Sequence, residues 1–159
     1  MKKYEITDIW EGDCFRIRAL RDIPLHGVKA GELGGWVESE KNLSQEGDCW
    51  VGGAASVYGN ARVDGNARIS GYALVGGNAR VDGNAWVDGD ACVCGDAWVG
   101  GDTWVYGNAR VDGNARVDGD ARVKDNARVG GDARVCGRAW VFGDACVQNG
   151  VVVDPVRGV

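Results

Sequence analysis

The sequence predicts an all-β fold: a parallel β-solenoid of triangular 18-residue coils, with an N-terminal hairpin and loop as its cap. Three observations predict it. An aliphatic residue recurs at every sixth position from Val51 to Val147, 17 times in all, and it is Val in each case except Ile69. The fifth position of these hexads is Ala in fifteen of them, Thr103 and Val151 being the exceptions, and the third is Gly nearly throughout. A six-residue period does not fit the 3.6-residue turn of an amphipathic helix. A unit this short cannot bury its own apolar face, so it must stack on its neighbours. Gly supplies 27 of the 159 residues, but disordered Gly-rich tracts have no need of the strict phasing seen for Val and Ala.

Within the hexad, Arg62-Val63-Asp64 reads as a short strand with Val on one face and both neighbours on the other, as the two-residue period of a strand requires. Gly65-Asn66 is then a corner, because Gly has no Cβ and Asn and Asp tolerate left-handed φ. Ala67 is small enough to sit inside that corner. Three such sides make one coil. Coils stack about 4.8 Å apart, so the regular stretch extends on the order of 27 Å. The unit Val63-Asp64-Gly65-Asn66-Ala67-Arg68 resembles the hexapeptide repeat of left-handed parallel β-helices and matches that pattern at each position. The resemblance implies a left-handed coil; the general crossover rule taken alone predicts a right-handed one.

At the N-terminus, residues 4–10 and 15–20 alternate apolar and polar side chains around Glu11-Gly12-Asp13, the pattern of a β-hairpin. Pro24 and His26-Gly27 mark a loop. Residues 1–36 are read as a cap, and about 37–50 as a first, imperfect coil. Leu43 falls six residues after Val37, but Val51 falls eight after Leu43, so one corner carries two extra residues. A cap is needed because the first coil of a solenoid presents unpaired backbone groups and an open core. Ala19 to Asp22, Gly31 to Val37 and Asn42 to Trp50 also resemble the N-terminal part of the YdcK-like β-helix proteins of bacteria and prophages. Those proteins are often labelled acyltransferases on fold alone, and the resemblance implies no established activity.

The β-helix is expected over 37–153, with regular hexads over 51–152, followed by a tail at 154–159. Gly150 breaks the repeat, and Val153 is expected to keep the 18-residue phase with Val135. Pro155 has no N–H for a ladder and blunts the edge. The triple Val at 151–153 is either a surface for end-to-end self-association or is covered by the last nine residues.

Composition limits the function classes. The net charge is −5, divided as −3 over residues 1–50 and −2 over the remainder. With no basic half, bulk electrostatics do not support nucleic-acid binding. No apolar run approaches the length of a membrane span, and the N-terminus leads into no signal-like segment, so a cytoplasmic protein is expected. The six cysteines show neither metal nor disulfide spacing and are read as free thiols in a reducing compartment. Cys92 and Cys94 share one strand with their Cα atoms roughly 7 Å apart, too far for a disulfide, and as two ligands alone they are a weak signal for a soft-metal site. Cys49 occupies an Ala position and should be interior.

Residues 18 apart stack, so the solenoid has three faces of different chemistry. The side centred on Val63, Val81, Val99, Val117 and Val135 carries a row of Arg beside a row of Asp and reads as a solvated face. The side centred on Val57, Val75, Val93, Val111, Val129 and Val147 is mixed and small. The third is centred on Val51, Ile69, Val87, Val105, Val123 and Val141. It shows Trp50, Arg68, Trp86, Trp104, Arg122 and Trp140 before the aliphatic residue, and Tyr106, Lys124 and Phe142 after it. These nine residues are the candidate binding or interface site. Six of the chain's thirteen aromatic residues share this face, all expected to point outward, with Arg68 and Arg122 within cation–π reach of Trp rungs. Such a patch marks a subunit interface or a platform for a sugar or nucleotide. Alternatively, Trp replaces Arg simply to strengthen the ladder.

An enzyme is not expected. Hexapeptide acyltransferases, as a family, use a His between subunits and loops that protrude from the coils. This chain has one His, His26, lying before the repeat, and no insertion within the repeat. His26 has no evident orienting partner in sequence, so it reads as a cap residue and no catalytic residue is assigned. The γ-type carbonic anhydrases share this fold but need three His for zinc, and ice-binding solenoids need Thr ladders, whereas only Thr7 and Thr103 occur here. Asp102 and Asp120 stack on one corner, where Asp ordinarily serves the turn. No cofactor or metal is expected. The reading is a non-catalytic interaction or assembly module, homo-oligomeric as a dimer or trimer through the Trp/Arg face. The alternatives are a small-ligand binder or a hexapeptide-type acyltransferase.

Overall fold

A computed structural model of the chain describes residues 1–157. It is all-β apart from two short 3-10 turns, Pro24–His26 and Glu40–Asn42. The strands form a parallel β-solenoid of about six turns with 18-residue coils. Short strands, two residues long except Trp140–Phe142, recur every six residues from Trp50–Val51 to Cys146–Val147 and pair in register with the strand 18 residues away, as Val87 does with Val105 and Val93 with Val111. Three sheets result, and they are the three faces expected from the sequence.

The corners explain why the repeat tolerates so little variation. Gly65 has φ +65°, and a Cβ there would lie 2.9 Å from the Gly83 carbonyl oxygen of the next coil. Stacked corners are thus in backbone contact, with no room for a side chain on the stacking side. Asp125 is the one non-Gly residue with positive φ among the described residues, at 58°. Its carboxylate accepts a hydrogen bond from the Gly143 N–H of the next coil at 2.9 Å, and Asp tolerates left-handed φ better than most residues. Asn side chains link the outer corners along the axis: Asn60 donates to Asn78, and Asn78 to Asp96. Inside, the Val and Ala columns are buried with almost no solvent exposure and form one continuous core.

The cap continues one of the three sheets. Strand β1 (Tyr4–Glu11) pairs antiparallel with β2 (Cys14–Ala19), and β2 with β3 (Leu33–Val37). β3 then runs parallel to Ser56–Val57, so the chain changes from hairpin to solenoid at this strand. The first coil is Val37, Leu43 and Val51, which lie over Val57, Val63 and Ile69. Its two extra residues open the corner before Val51, and the cap fills that opening. The Tyr4 hydroxyl donates to the Leu43 carbonyl at 2.6 Å, and Lys3 Nζ lies 3.3 Å from the Glu46 carbonyl and 3.1 Å from Cys49 Sγ. Burial lowers the pKa of Lys3 and raises that of Cys49. Both shifts favour the neutral forms of this enclosed pair.

The C-terminal end departs from the expected phase. Val152, not Val153, pairs with Val135, a separation of 17 residues, and Val153 is 51 % exposed. The corner at Gln148-Asn149-Gly150 is one residue short, with Gly150 at φ +82°. The expected tail also contributes a rung: Val156 pairs with Val141, and Val152 and Val156 pack partly buried against the core. A shortened corner shifts the register by one because each side of the coil must return its inward residue to the same ladder.

Candidate functional site

The Trp/Arg face is one seven-stranded sheet, ordered from Trp50–Val51 to Val156–Arg157. Each inward Val is flanked by two outward side chains. The face therefore carries two columns, with rungs at the coil spacing of about 4.8 Å. Trp86 and Trp104 stack with ring centroids 5.2 Å apart and planes 4° apart. The Arg68 guanidinium carbon lies 5.6 Å from the centre of the Trp86 ring, and that of Arg122 lies 5.1 Å from Trp104 and 5.4 Å from Trp140. Tyr106 meets Trp104 edge-on at 6.0 Å, and Phe142 meets Trp140 edge-on at 6.5 Å. Lys124 Nζ lies 5.7 Å from Trp140 and 5.6 Å from Phe142. Eight of the nine predicted residues thus form one unbroken ladder of π faces and cations.

The ninth does not. Trp50 is expected on the outside with the other Trp, yet it is only 2 % exposed. Its indole lies beneath β3, where a Cβ on Gly34 would come within 2.6 Å of Trp50 Cζ2. The cap roofs the first rung of the face and converts a surface position into core. Gly34 is the sequence feature that signals this, because only a residue without a side chain lets a strand lie on an indole. Arg68, the next rung, is also tied to the cap, its guanidinium donating to the His26 carbonyl at 3.4 Å. Beyond the roofed rung the face is open to solvent: Arg68 and Trp86 are half-buried, and Trp104 and Trp140 are 40 % and 41 % exposed.

Asp88 is absent from the sequence-derived site, yet with Trp86, Trp104 and Tyr106 it lines the apolar notch in this face. Its carboxylate accepts from the Gly89 N–H at 2.5 Å, which holds it beside the stacked indoles. Another residue that sequence reasoning passed over lies on the charged face. Trp98 sits 3.8 Å from the Arg116 guanidinium and donates its indole N–H to Asp82 at 2.9 Å. This is the shortest cation–π contact among the described residues, and it satisfies the indole within its own chain.

His26 does have an orienting partner. It is buried, and Nε2 lies 3.1 Å from the Asn66 carbonyl oxygen, while Nδ1 is enclosed without a partner. Burial first, and the Arg68 charge second, lower its pKa. The ring therefore serves as a neutral donor that pins the cap loop to a corner, with Nε2 occupied and Nδ1 walled off. The Cys92 thiol is pushed up to about 11, mainly by burial and next by Cys94 beside it, so it is held as an unreactive thiol. All six cysteines are free. Among the described residues, no three His, Cys, Asp or Glu side chains converge to hold a metal ion, and no helix is long and apolar enough to cross a membrane.

No protein-family profile matches the chain, and none of the curated proteins matches it.

Proposed function

We propose that this chain is a non-catalytic assembly module, a β-solenoid that self-associates through the Trp86–Trp140 face. The observation that carries the reading is the state of that face. Trp104 and Trp140 remain about two-fifths exposed at the centre and end of a flat array that also presents Arg122 and Lys124. Contiguous aromatic surface of this kind is uncommon on a monomer and typical of the centre of an interface, where Trp, Tyr and Arg dominate the binding energy. The cytoplasmic location belongs to the same proposal and is supported by six unpaired cysteines. Kinship with the YdcK-like β-helix proteins of bacteria and prophages, with their left-handed coil, is likewise proposed on the residues of the cap and the hexads.

The test is the mass in solution by light scattering, for the native chain and for Trp86→Ser/Trp104→Ser. A native oligomer that falls to monomer supports the reading, while a native monomer overturns it. One observation favours a second reading. The notch between Trp86, Trp104 and Tyr106 has Asp88 at its edge, an arrangement suited to stacking a sugar or base ring and accepting a hydrogen bond from it. A native monomer that binds such ligands, with quenching of indole fluorescence, would favour this alternative. Hexapeptide-type acyl transfer through His26 has little support, because a base needs an accessible nitrogen and neither ring nitrogen of His26 is free to serve.

A further inference from the structure

The two columns of the face hold more information than its aromatic content. In one column the rungs run Arg68, Trp86, Trp104, Arg122, Trp140, in register. In the other, on the same strands, they run Ser70, Asp88, Tyr106, Lys124, Phe142. The first column is a string of cations and aromatics, the second holds a serine, a carboxylate, a cation and two aromatics, and the order of each can be matched against itself.

Resting on the self-association reading above, we propose that the face binds a second copy of this chain antiparallel, about a two-fold axis lying along the Trp104–Val105–Tyr106 rung. Rotation about an axis in that direction lays each column on its own copy with the rung order reversed. Trp86 then meets the partner's Arg122, Arg68 meets the partner's Trp140, and Asp88 meets the partner's Lys124. Trp104 and Tyr106 meet their own copies at the axis. Every cation faces an aromatic ring or a carboxylate, and no like charges meet.

The neighbouring arrangements lack this match. An axis half a rung towards the N-terminus sets Arg68 against the partner's Arg122. An axis half a rung towards the C-terminus buries the Asp88 carboxylate on the partner's Phe142, leaving a charge without a partner. An axis along the solenoid gives a parallel pair and sets Arg122 against the partner's Lys124. Like charges opposed across an interface are strongly disfavoured, so charge order selects one register among these geometries. Five rungs about 4.8 Å apart cover roughly 20 Å along the solenoid. The contact is therefore at the small end of specific interfaces, and the dimer dissociates on dilution.

Charge reversal tests the register. Asp88→Lys alone opposes two lysines at each of the two equivalent sites, and Lys124→Asp alone opposes two aspartates. Each single variant should lose self-association by at least about tenfold in Kd. An equimolar mixture of the two should associate again, because each reversed residue then faces its complement in the other chain. Bulk attraction does not explain that rescue, because the single changes move the net charge from −5 to −3 and −7, both negative. Sedimentation velocity across a concentration series reads the masses, and far-ultraviolet circular dichroism verifies that each variant retains the fold. Loss in both single variants with rescue in the mixture supports the register. If both singles still dimerise like the native chain while Trp104→Ser does not, the face is an interface but the register is wrong. Loss without rescue overturns the register as well. A native chain that is monomeric at every concentration overturns both the register and the assembly reading.

Discussion

Trp86 and Trp104, 18 residues apart, lie face to face with ring planes 4° apart and centroids at 5.2 Å. The separation is close to the coil spacing of about 4.8 Å, so a parallel in-register ladder brings identical side chains to a stacking distance without distortion. Stacked aromatic pairs add about 0.5–1.5 kcal/mol beyond their burial. Two parallel indoles this close also couple their electronic transitions. The native chain should show an exciton couplet in the indole bands of its circular dichroism. Trp86→Phe should abolish the couplet and cost about 1 kcal/mol in urea unfolding. A native chain without the couplet would mean that the two rings are not stacked in solution.

Equivalent positions in one ladder should respond very differently to truncation. Trp50 and Trp140 both precede an inward Val on the same sheet, but β3 covers Trp50, whereas Trp140 is 41 % exposed. Trp50→Ala removes a buried ring from beneath Gly34 and should cost about 3–5 kcal/mol. Trp140→Ala removes one edge-on ring contact and its cation–π contacts with Arg122 and Lys124, and should cost about 1–2 kcal/mol. Urea midpoints of the two variants, measured side by side at a concentration where the native chain is monomeric, give the comparison. Equal losses would mean that the cap does not roof the first rung.

The contrast between Trp50 and Trp140 also shows how far the sequence could be read. A strict period identifies the three faces, the inward Val and the corner Gly, because the same local physics recurs in nearly all of the 17 hexads. It also places Trp86, Trp104, Arg122 and Trp140 on one face, since residues 18 apart must stack. What a period cannot carry is any contact made by the part that does not repeat. Trp50 is buried, His26 is pinned to Asn66, and Arg68 is tied to the His26 carbonyl, and all three follow from where the cap docks. Val153 fails for a related reason. Counting by six holds only while every corner has its full length, and the corner ending at Gly150 is one residue short. Asp88 falls on the same face by the same count, but its importance lies in the stacked pair beside it, which the period alone does not show.

Thr103 is an exception within the repeat whose effect on stability can be predicted. It occupies a position that is Ala in most hexads, is fully buried, and has a hydroxyl oxygen without a hydrogen-bond partner. A buried unpaired hydroxyl costs roughly 1–3 kcal/mol in proteins. Thr103→Val preserves the shape and removes the hydroxyl, so it should stabilise the chain by about 1 kcal/mol. The adjoining corner predicts the opposite sign. Gly101 has φ +63°, and a Cβ there would lie 2.7 Å from the Gly119 carbonyl oxygen. Gly101→Ala should therefore destabilise by more than about 1 kcal/mol. Thermal unfolding of both variants tests the two signs together, and a destabilised Thr103→Val would show that the hydroxyl is satisfied in solution.

His26 makes the stability of the cap depend on pH. Burial, reinforced by Arg68, lowers its pKa in the folded chain below the ordinary 6.5, so the unfolded chain takes up the proton first. The stability contributed by neutral His26 is fully present above the unfolded pKa of about 6.5 and is lost as pH falls below it, until the folded pKa is reached. Protonation would place an N–H at Nδ1, where no acceptor exists, and a positive charge beside Arg68. The melting temperature should therefore fall between about pH 7 and about pH 5. His26 is the only histidine, so His26→Gln should flatten that slope while retaining a side-chain N–H for the Asn66 carbonyl. The expected readout is two melting curves that converge in acid and separate towards neutral pH. An unchanged slope in the variant would assign the pH dependence to other groups and remove His26 from the docking of the cap.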